Sequence, residues 1–385
     1  MSFSKHKLIR AVTVDGSLGF VEPLIPSLKK KYEVQLLSSS GEKLDRICKE
    51  YGVKGHRVYM FRRMSPFKDL KSLFKLINVF RKEKPYMVHS MTPKAGLLCM
   101  LAAWLTGVPR RVHTFTGLVW PTTSGLSRKI LMLTDWLTCA CATHVIPEGQ
   151  GVLNDLQQHI TSKPMKVLGY GNVRGVDMVR FSRRSEVMTQ AELLRKEGVF
   201  TFIFVGRIVG DKGINELVQA FTRLHEKDAN TRLFLIGNYE ANLDPVKAET
   251  LDIIHTHTAI EAVGPKYGDD LLAYYAASDC FVFPSYREGF PNTVLEAGAM
   301  GLPSIVTDIN GSREIIEHGV NGVIIPSKDS EALYQAMEQM MVDKEKAAQY
   351  AINARPIIEA RFEQGFVRQC LYDFYEEISH KNTQK

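Results

Sequence analysis

Short β-branched runs alternate with amphipathic stretches along the whole chain, which predicts an α/β fold of two doubly wound domains. Three observations carry this. The strand candidates are continuous apolar runs, as in parallel strands buried on both faces. Helical patterns separate almost every pair of them. At 385 residues, more than twelve strand candidates are too many for one sheet but suit two.

In the first half the expected strands are 8–14, 33–37, 57–61, 86–90, 111–114, 144–146 and 165–168, with helices over 66–82, 93–105 and 128–140. In the second half they are 201–205, 232–236, 259–263, 280–284, 304–307 and 323–325. Helices are expected there over 213–225, 269–277, 292–300, 312–318 and 329–342. The segment GYGNVRGVD reads as a linker. The domains predicted are 1–172, then 173–365, with 366–385 a C-terminal helix that packs back toward the first domain.

Hydrophobic content of 45% and charged content of 24% are those of a globular chain. The longest near-apolar run, 95–109, is too short to span a bilayer, which needs roughly 20 residues. The N-terminus enters a strand without the apolar region of a secretory signal. Six scattered cysteines with no CxxC predict a reduced, cytoplasmic protein. Residues 1–171 hold 26 Lys and Arg against 11 Asp and Glu, or +15; the remainder holds 23 against 31, or −8. The basic half suits an anionic partner. No zinc-finger spacing, RNP pattern or aromatic-basic interleaving points to nucleic acid.

In such folds ligands gather at the carboxyl ends of the strands, and two facing domains would form a cleft there. The chain lacks G-x-G-x-x-G, so a dinucleotide cofactor has no support. In FVGRIVGDKG, Arg207 and Lys212 follow a strand, where they are surface charges or a pair that neutralises a diphosphate. In EGFPNTVLEAGAM, Gly289 and Pro291 keep Glu288 in a loop, while Glu296 lies one turn into the next helix. Gly289, Phe290, Asn292 and Thr293, around Pro291, present backbone amides at that helix start, where an anion is favoured. Two carboxylates beside an anion site make sense if each binds sugar hydroxyls at one end of the ligand. Gly16 and Gly19 form a turn after the first strand. His113 ends another strand, in the core or facing the cleft. His255 and His257 form HxH without further ligand signals, so no metal site is expected.

The stretch from FVGRIVGDKG to NGVIIP resembles the retaining GT-B glycosyltransferases of family 4, which use nucleotide sugars. The first half, with DGSLGFVEPLIPSL, HSMTPKAG and HTFTGLVWP, is similar to bacterial members that extend glycan precursors on lipid diphosphate carriers. The resemblance implies two Rossmann-like domains and hexosyl or N-acetylhexosaminyl transfer from a nucleoside-diphosphate sugar, with UDP favoured, and no cofactor or metal. It implies that Arg207 and Lys212 bind the diphosphate, Glu288 approaches the donor sugar and Glu296 holds the ribose. It places Gly16 under the diphosphate and His113 near the transferred sugar. A single Gly19 where relatives carry adjacent glycines, and FTGLVW in place of His-Gly-Phe, depart from the pattern. A UDP-sugar epimerase of the same architecture and a non-catalytic nucleotide-sugar-binding protein are the alternatives. The segment 61–84, whose helix carries Phe67, Leu70, Phe74, Lys68, Lys71 and Lys75 with Arg62 and Arg63 ahead of it, either covers the sheet or rests on an anionic membrane surface.

Overall fold

The computed structural model describes residues 5–61, 65–240 and 244–380. The chain divides into two units: the first runs to Arg174 and takes up the chain again from Arg368, and the second is Gly175–Val367.

In the first unit, β1 (His6–Ala11), α1 (Ile25–Lys31), β2 (Tyr32–Ser38), α2 (Glu42–Tyr51) and β3 (Lys54–Arg57) come first. Then follow α3 (Pro66–Glu83), β4 (Met87–Met91), α4 (Pro93–Leu105), β5 (Arg110–Phe115), α5 (Gly125–Cys141), β6 (His144–Pro147) and α6 (Gln150–His159). The six strands are ordered β3-β2-β1-β4-β5-β6, and every pair is parallel. One face of this sheet packs on residues of α3, α4, α5 and α6, including Leu76, Phe80, Leu98 and Leu156. Residues of α1, α2 and the C-terminal α15 (Gln364–His380), such as Leu28, Leu44 and Phe374, cover the other.

The second unit repeats the plan. Its elements are α7 (Ser185–Leu194), β7 (Phe200–Val205), α8 (Ile214–Lys227), β8 (Thr231–Ile236), α9 (Ala248–Thr256) and β9 (Ile260–Gly264). They continue with α10 (Gly268–Ala277), β10 (Cys280–Phe283), α11 (Asn292–Ala299), β11 (Ser304–Thr307), α12 (Ser312–Ile315), β12 (Gly322–Ile325), α13 (Ser330–Val342) and α14 (Lys344–Phe362). The strand order β12-β11-β10-β7-β8-β9 matches that of the first sheet once the strands are renumbered. The order reverses between β1 and β4 in one sheet and between β7 and β10 in the other, and such switch points open toward ligands.

Two expected strands differ. Residues 165–168 form no strand, and the one expected over 57–61 is instead Lys54–Arg57. Gly55 explains the second shift: its missing side chain lets Cys48 and Leu44 of α2 lie against β3. The helix expected over 312–318 stops at Ile315, where Ile316 turns extended.

Candidate active site

The loops after β7 and β10 meet at the switch point of the second sheet. Gly213, at φ 71°, opens α8 and lies so close to Pro284 that a Cβ there would stand 2.1 Å from the Pro284 carbonyl oxygen. Only glycine tolerates both the backbone conformation and the contact. The Tyr286 amide donates to the Asp211 carbonyl at 2.8 Å, and the Ser285 hydroxyl donates to the same oxygen at 3.2 Å. The Arg287 guanidinium reaches the Asp211 carboxylate at 3.1 Å. The two loops therefore form one rigid edge.

On that edge Lys212 forms an ion pair with Glu288. Both side chains are mostly enclosed, at 13% and 18% exposure, and the Ser285 hydroxyl also donates to Glu288 Oε1 at 3.0 Å. Arg207 is more open, with its side chain 41% exposed; it donates to Glu240 at 2.9 Å and lies 4.0 Å from Asp211. Tyr286 donates to Glu216 at 2.6 Å, and burial with that carboxylate pushes its hydroxyl pKa up.

Beside this edge, Phe290 is buried against Phe362 with ring centroids 5.4 Å apart. Gly311, at φ 76°, packs beneath: a Cβ there would lie 2.5 Å from the Gly289 carbonyl and 2.7 Å from Phe290 Cα. Pro291 is the N-cap of α11 and supplies no side-chain cap, and Asn292 and Thr293 begin the helix. Glu296, one turn on, is buried at 8% exposure next to Tyr275, whose hydroxyl pKa is raised by burial and then by that carboxylate. The structure thus brings Lys212 and Glu288 into direct contact, and buries Glu296 beside Tyr275. Sequence reasoning missed Asp211, Glu240, Ser285 and Gly311. Asp211 sits inside one motif quoted and Ser285 three residues ahead of the other, whereas Glu240 and Gly311 meet them only through folding.

In the first unit, Gly16 lies in a 3-10 turn, Asp15–Phe20, directly after the β1 edge. A Cβ on Gly16 would meet nothing within 4 Å, and Lys43 donates to its carbonyl at 3.2 Å. Of the two places the sequence left open for His113, core or cleft, its ring takes an enclosed one. Its ring is 1% exposed, stacks edge-on with Phe115 at 4.5 Å and shares a 2.9 Å hydrogen bond with Ser90. Gly96 of α4 covers it; a Cβ there would stand 2.4 Å from His113 Cε1. Burial pushes the His113 pKa down to about 3, so the ring is neutral at pH 7. Thr116 and Gly117, half-buried, follow at the strand's carboxyl end. His89 is likewise enclosed, between Tyr375 and Thr114 at 2.5 and 2.7 Å.

Two Rossmann-like halves with a charged switch point in the second define the GT-B class of glycosyltransferase. Residues 188–356 match the family described as glycosyl transferases group 1, and residues 20–171 match glycosyltransferase family 4. A capsular polysaccharide biosynthesis glycosyltransferase, CapM, of Staphylococcus aureus is 31% identical over 383 residues, 99% of each chain. The UDP-Gal:alpha-D-GlcNAc-diphosphoundecaprenol alpha-1,3-galactosyltransferase of Escherichia coli is 29% identical, over 81% of this chain and 83% of its own. The structure of Anabaena Alr3699/HepE in complex with UDP superposes with a TM-score of 0.80 at 17% identity, over 96% of this chain and all of that one. The chain belongs to glycosyltransferase family 4, and it is a glycosyltransferase.

Proposed function

We propose that this glycosyltransferase moves a sugar from a UDP-sugar to a hydroxyl of a polyprenyl-diphosphate-linked glycan precursor, with retention, in bacterial surface polysaccharide synthesis. The observation that carries the donor half is the Lys212–Glu288 pair at the switch point, beside the start of α11, whose N-cap is Pro291. An incoming diphosphate replaces Glu288 as the partner of Lys212 and Glu240 as the partner of Arg207. Glu288 is thereby released to accept hydrogen bonds from the hydroxyls of the transferred sugar. Glu296, on the far side of the helix start, accepts from the ribose. Gly16 leaves room for the diphosphate.

As the glycosidic bond breaks, negative charge grows on the diphosphate, and Arg207, Lys212 and the α11 amides stabilise it more than they stabilise the bound donor. Retention follows if the leaving oxygen takes the acceptor proton while the acceptor attacks from the same face. His113, enclosed and neutral at the end of β5, is placed near the transferred sugar, as the resemblance implies. The acceptor half rests on two relatives named for diphosphoundecaprenol substrates. The reading extends to a peripheral position on the inner face of the cell membrane, with the basic α3 toward the lipid. Arg62 and Arg63 lie outside the described residues.

The test is product analysis with UDP- and GDP-sugars and a short-chain prenyl-diphosphate-linked acceptor. NMR of the new linkage should show the donor's anomeric configuration. Free epimerised nucleotide sugar without transfer would replace this reading with the epimerase one.

A further inference from the structure

Helix α11 differs from its neighbours in where its charges lie. Among the described residues, every other α-helix wholly inside the second unit, α7 to α10 and α12 to α14, carries an Asp or Glu in its first turn. The helix dipole favours an acid there. Helix α11 has none in its first turn; its Glu296 comes later, and Val294 to Ala299 are all buried. The other end is closed twice over. The Gly301 and Leu302 amides donate to the Gly298 and Ala297 carbonyls at 2.9 and 3.0 Å. The next two carbonyls each receive a guanidinium. Arg355 of α14 donates to Ala299 at 2.5 Å, and Arg183 Nε donates to Met300 at 2.9 Å. Gly298 admits this approach: a Cβ there would stand 2.7 Å from Ile358 Cγ1, in the turn after Arg355.

The hydrogen-bond partners of these two cations are carbonyls, not carboxylates. Half-buried Arg355 also donates to the Phe181 and Met178 carbonyls, at 2.6 and 2.7 Å. Arg183 reaches the Ala276 carbonyl at 3.4 Å, and Asp279, the carboxylate that acts on it, is shared with Arg195 and Arg232. A guanidinium stays charged at any working pH. The carbonyl end of α11 therefore holds fixed positive charge. The helix has 8 residues, so at 1.5 Å each that charge lies about 12 Å from the amide end. The path between them runs along a buried helix, where screening is weaker than in water.

We infer that Arg355, seconded by the more exposed Arg183, is a positioning residue for the donor: it offsets the negative end of α11 and leaves the positive potential of the amide end to act on the diphosphate. The cation works through the helix and from its far end. Each negative charge that develops on the leaving diphosphate feels the same field, so the effect grows toward the transition state. This inference rests on the reading that the diphosphate sits at the start of α11. A purely mechanical role is the rival, because the same three carbonyls make Arg355 a clamp between α11 and the segment 178–181. Charge and clamp differ in what they do to a neutral ligand.

The experiment uses the full chain and two probes, UDP by titration calorimetry and uridine by ligand-observed NMR. Uridine carries no phosphate, so it reports the shape of the site without its charge. Arg355→Met should weaken UDP on the order of fivefold, the scale of one charge acting over such a distance at an effective dielectric constant of about 20. Uridine binding should not change. Arg355→Lys keeps the charge and loses most of the carbonyl bonds, and it should restore most of the UDP affinity. Arg183→Met should follow with a smaller loss, because water screens the more exposed cation. If Arg355→Met does not fold, Arg183→Met against Arg183→Lys decides on the same terms. Equal weakening of UDP and uridine, or a Lys variant no better than the Met one, would make Arg355 a clamp and overturn the inference. So would unchanged UDP affinity in Arg355→Met beside a loss in Lys212→Ala, an outcome that leaves the donor site standing. Unchanged UDP affinity in Lys212→Ala as well would instead move the diphosphate away from α11 and sink the donor reading.

Discussion

Helices α4 and α11 occupy the same place in the two sheets, each following the strand at which the order reverses, yet one is closed and the other is not. At α4, the Thr13 hydroxyl accepts from the Ala95 amide at 3.1 Å and meets the Thr92 hydroxyl at 2.7 Å. Thr92 itself is held at φ 71°, an unusual conformation for a β-branched residue. At α11, the N-cap is a proline with no side-chain oxygen, and the flanking loop carries Lys212, Glu288 and Arg207. The same topology therefore yields a stitched edge in one unit and, in the other, the edge proposed to receive the diphosphate. The difference lies in a few side chains, not in the strand order.

The comparison extends below the edges. The first unit buries Arg10, His89 and His113 at 1% exposure each, and Arg10 donates to Tyr375 of α15 at 2.7 Å. Acid should therefore unfold it first, which is the largest effect expected. Burial holds the His113 pKa near 3 and the His89 pKa well below its usual value. Below the ordinary histidine pKa of 6.5 the unfolded chain binds more protons, so this stability is whole above pH 6.5 and is lost as pH falls toward 3. For His113 alone the loss is on the order of 5 kcal/mol. Glu83, held near 2 chiefly by Lys54, loses its share between pH 4.5 and 2. Asp135 acts in the opposite sense, its contribution present below pH 3.8 and lost as pH rises through about 7, and it offsets only part. All 3 tryptophans lie in the first unit, so fluorescence should change at higher pH than far-UV circular dichroism. Coincident transitions would break the comparison.

At the open edge the effects should fall on chemistry. Lys212→Ala should lower kcat on the order of 10²-fold, more than it weakens donor binding, by analogy with removing one preorganised donor. Arg207→Ala should follow in the same direction, with a smaller loss because its side chain is 41% exposed. Thermal unfolding of both variants should stay close to wild type. Unchanged turnover in both would remove the pair from the mechanism.

How legible this was differs between the halves. Both sheets, and the helix that begins at Asn292, could be read from apolar runs and from Gly and Pro, because those signals are local. Arg207, Lys212, Glu288 and Glu296 could be read because each sits beside a strand end or a helix start in its own segment. His113 could not. Whether a histidine at a strand end faces solvent or core depends on Gly96, a residue of the preceding helix, and nothing in RVHTF records that contact. Glu240 and Gly311 were hidden for the same reason. The strand expected over 165–168 had the right apolar content, but its Lys166 amide reaches the Val145 carbonyl of β6 only at 3.4 Å and no ladder forms there.

A smaller effect divides the two carboxylates. Glu296→Gln should weaken binding of free UDP about tenfold, the scale of one charge-assisted hydrogen bond. Glu288→Gln should leave UDP affinity nearly intact and damage turnover, because its proposed partner is the sugar. Titration calorimetry with the nucleotide alone decides this; equal losses in both variants would end the assignment of separate ends. On the closed edge, Thr13→Val should cost about 1 kcal/mol of stability by stranding the Ala95 amide, without changing UDP affinity.

The smallest expected effect is none at all. Two cations and the amide end of α11 face the proposed diphosphate position, and their charge rises in value as the leaving group develops its own. A divalent ion at the same place would compete with Lys212 and Arg207 for the same oxygens. Turnover after EDTA treatment should therefore match the untreated enzyme, and added manganese or magnesium should not raise it. Complete loss with EDTA, restored by either metal, would mean that the open edge of the second sheet is half of a site, and that Lys212 and Arg207 orient a diphosphate whose charge something else neutralises.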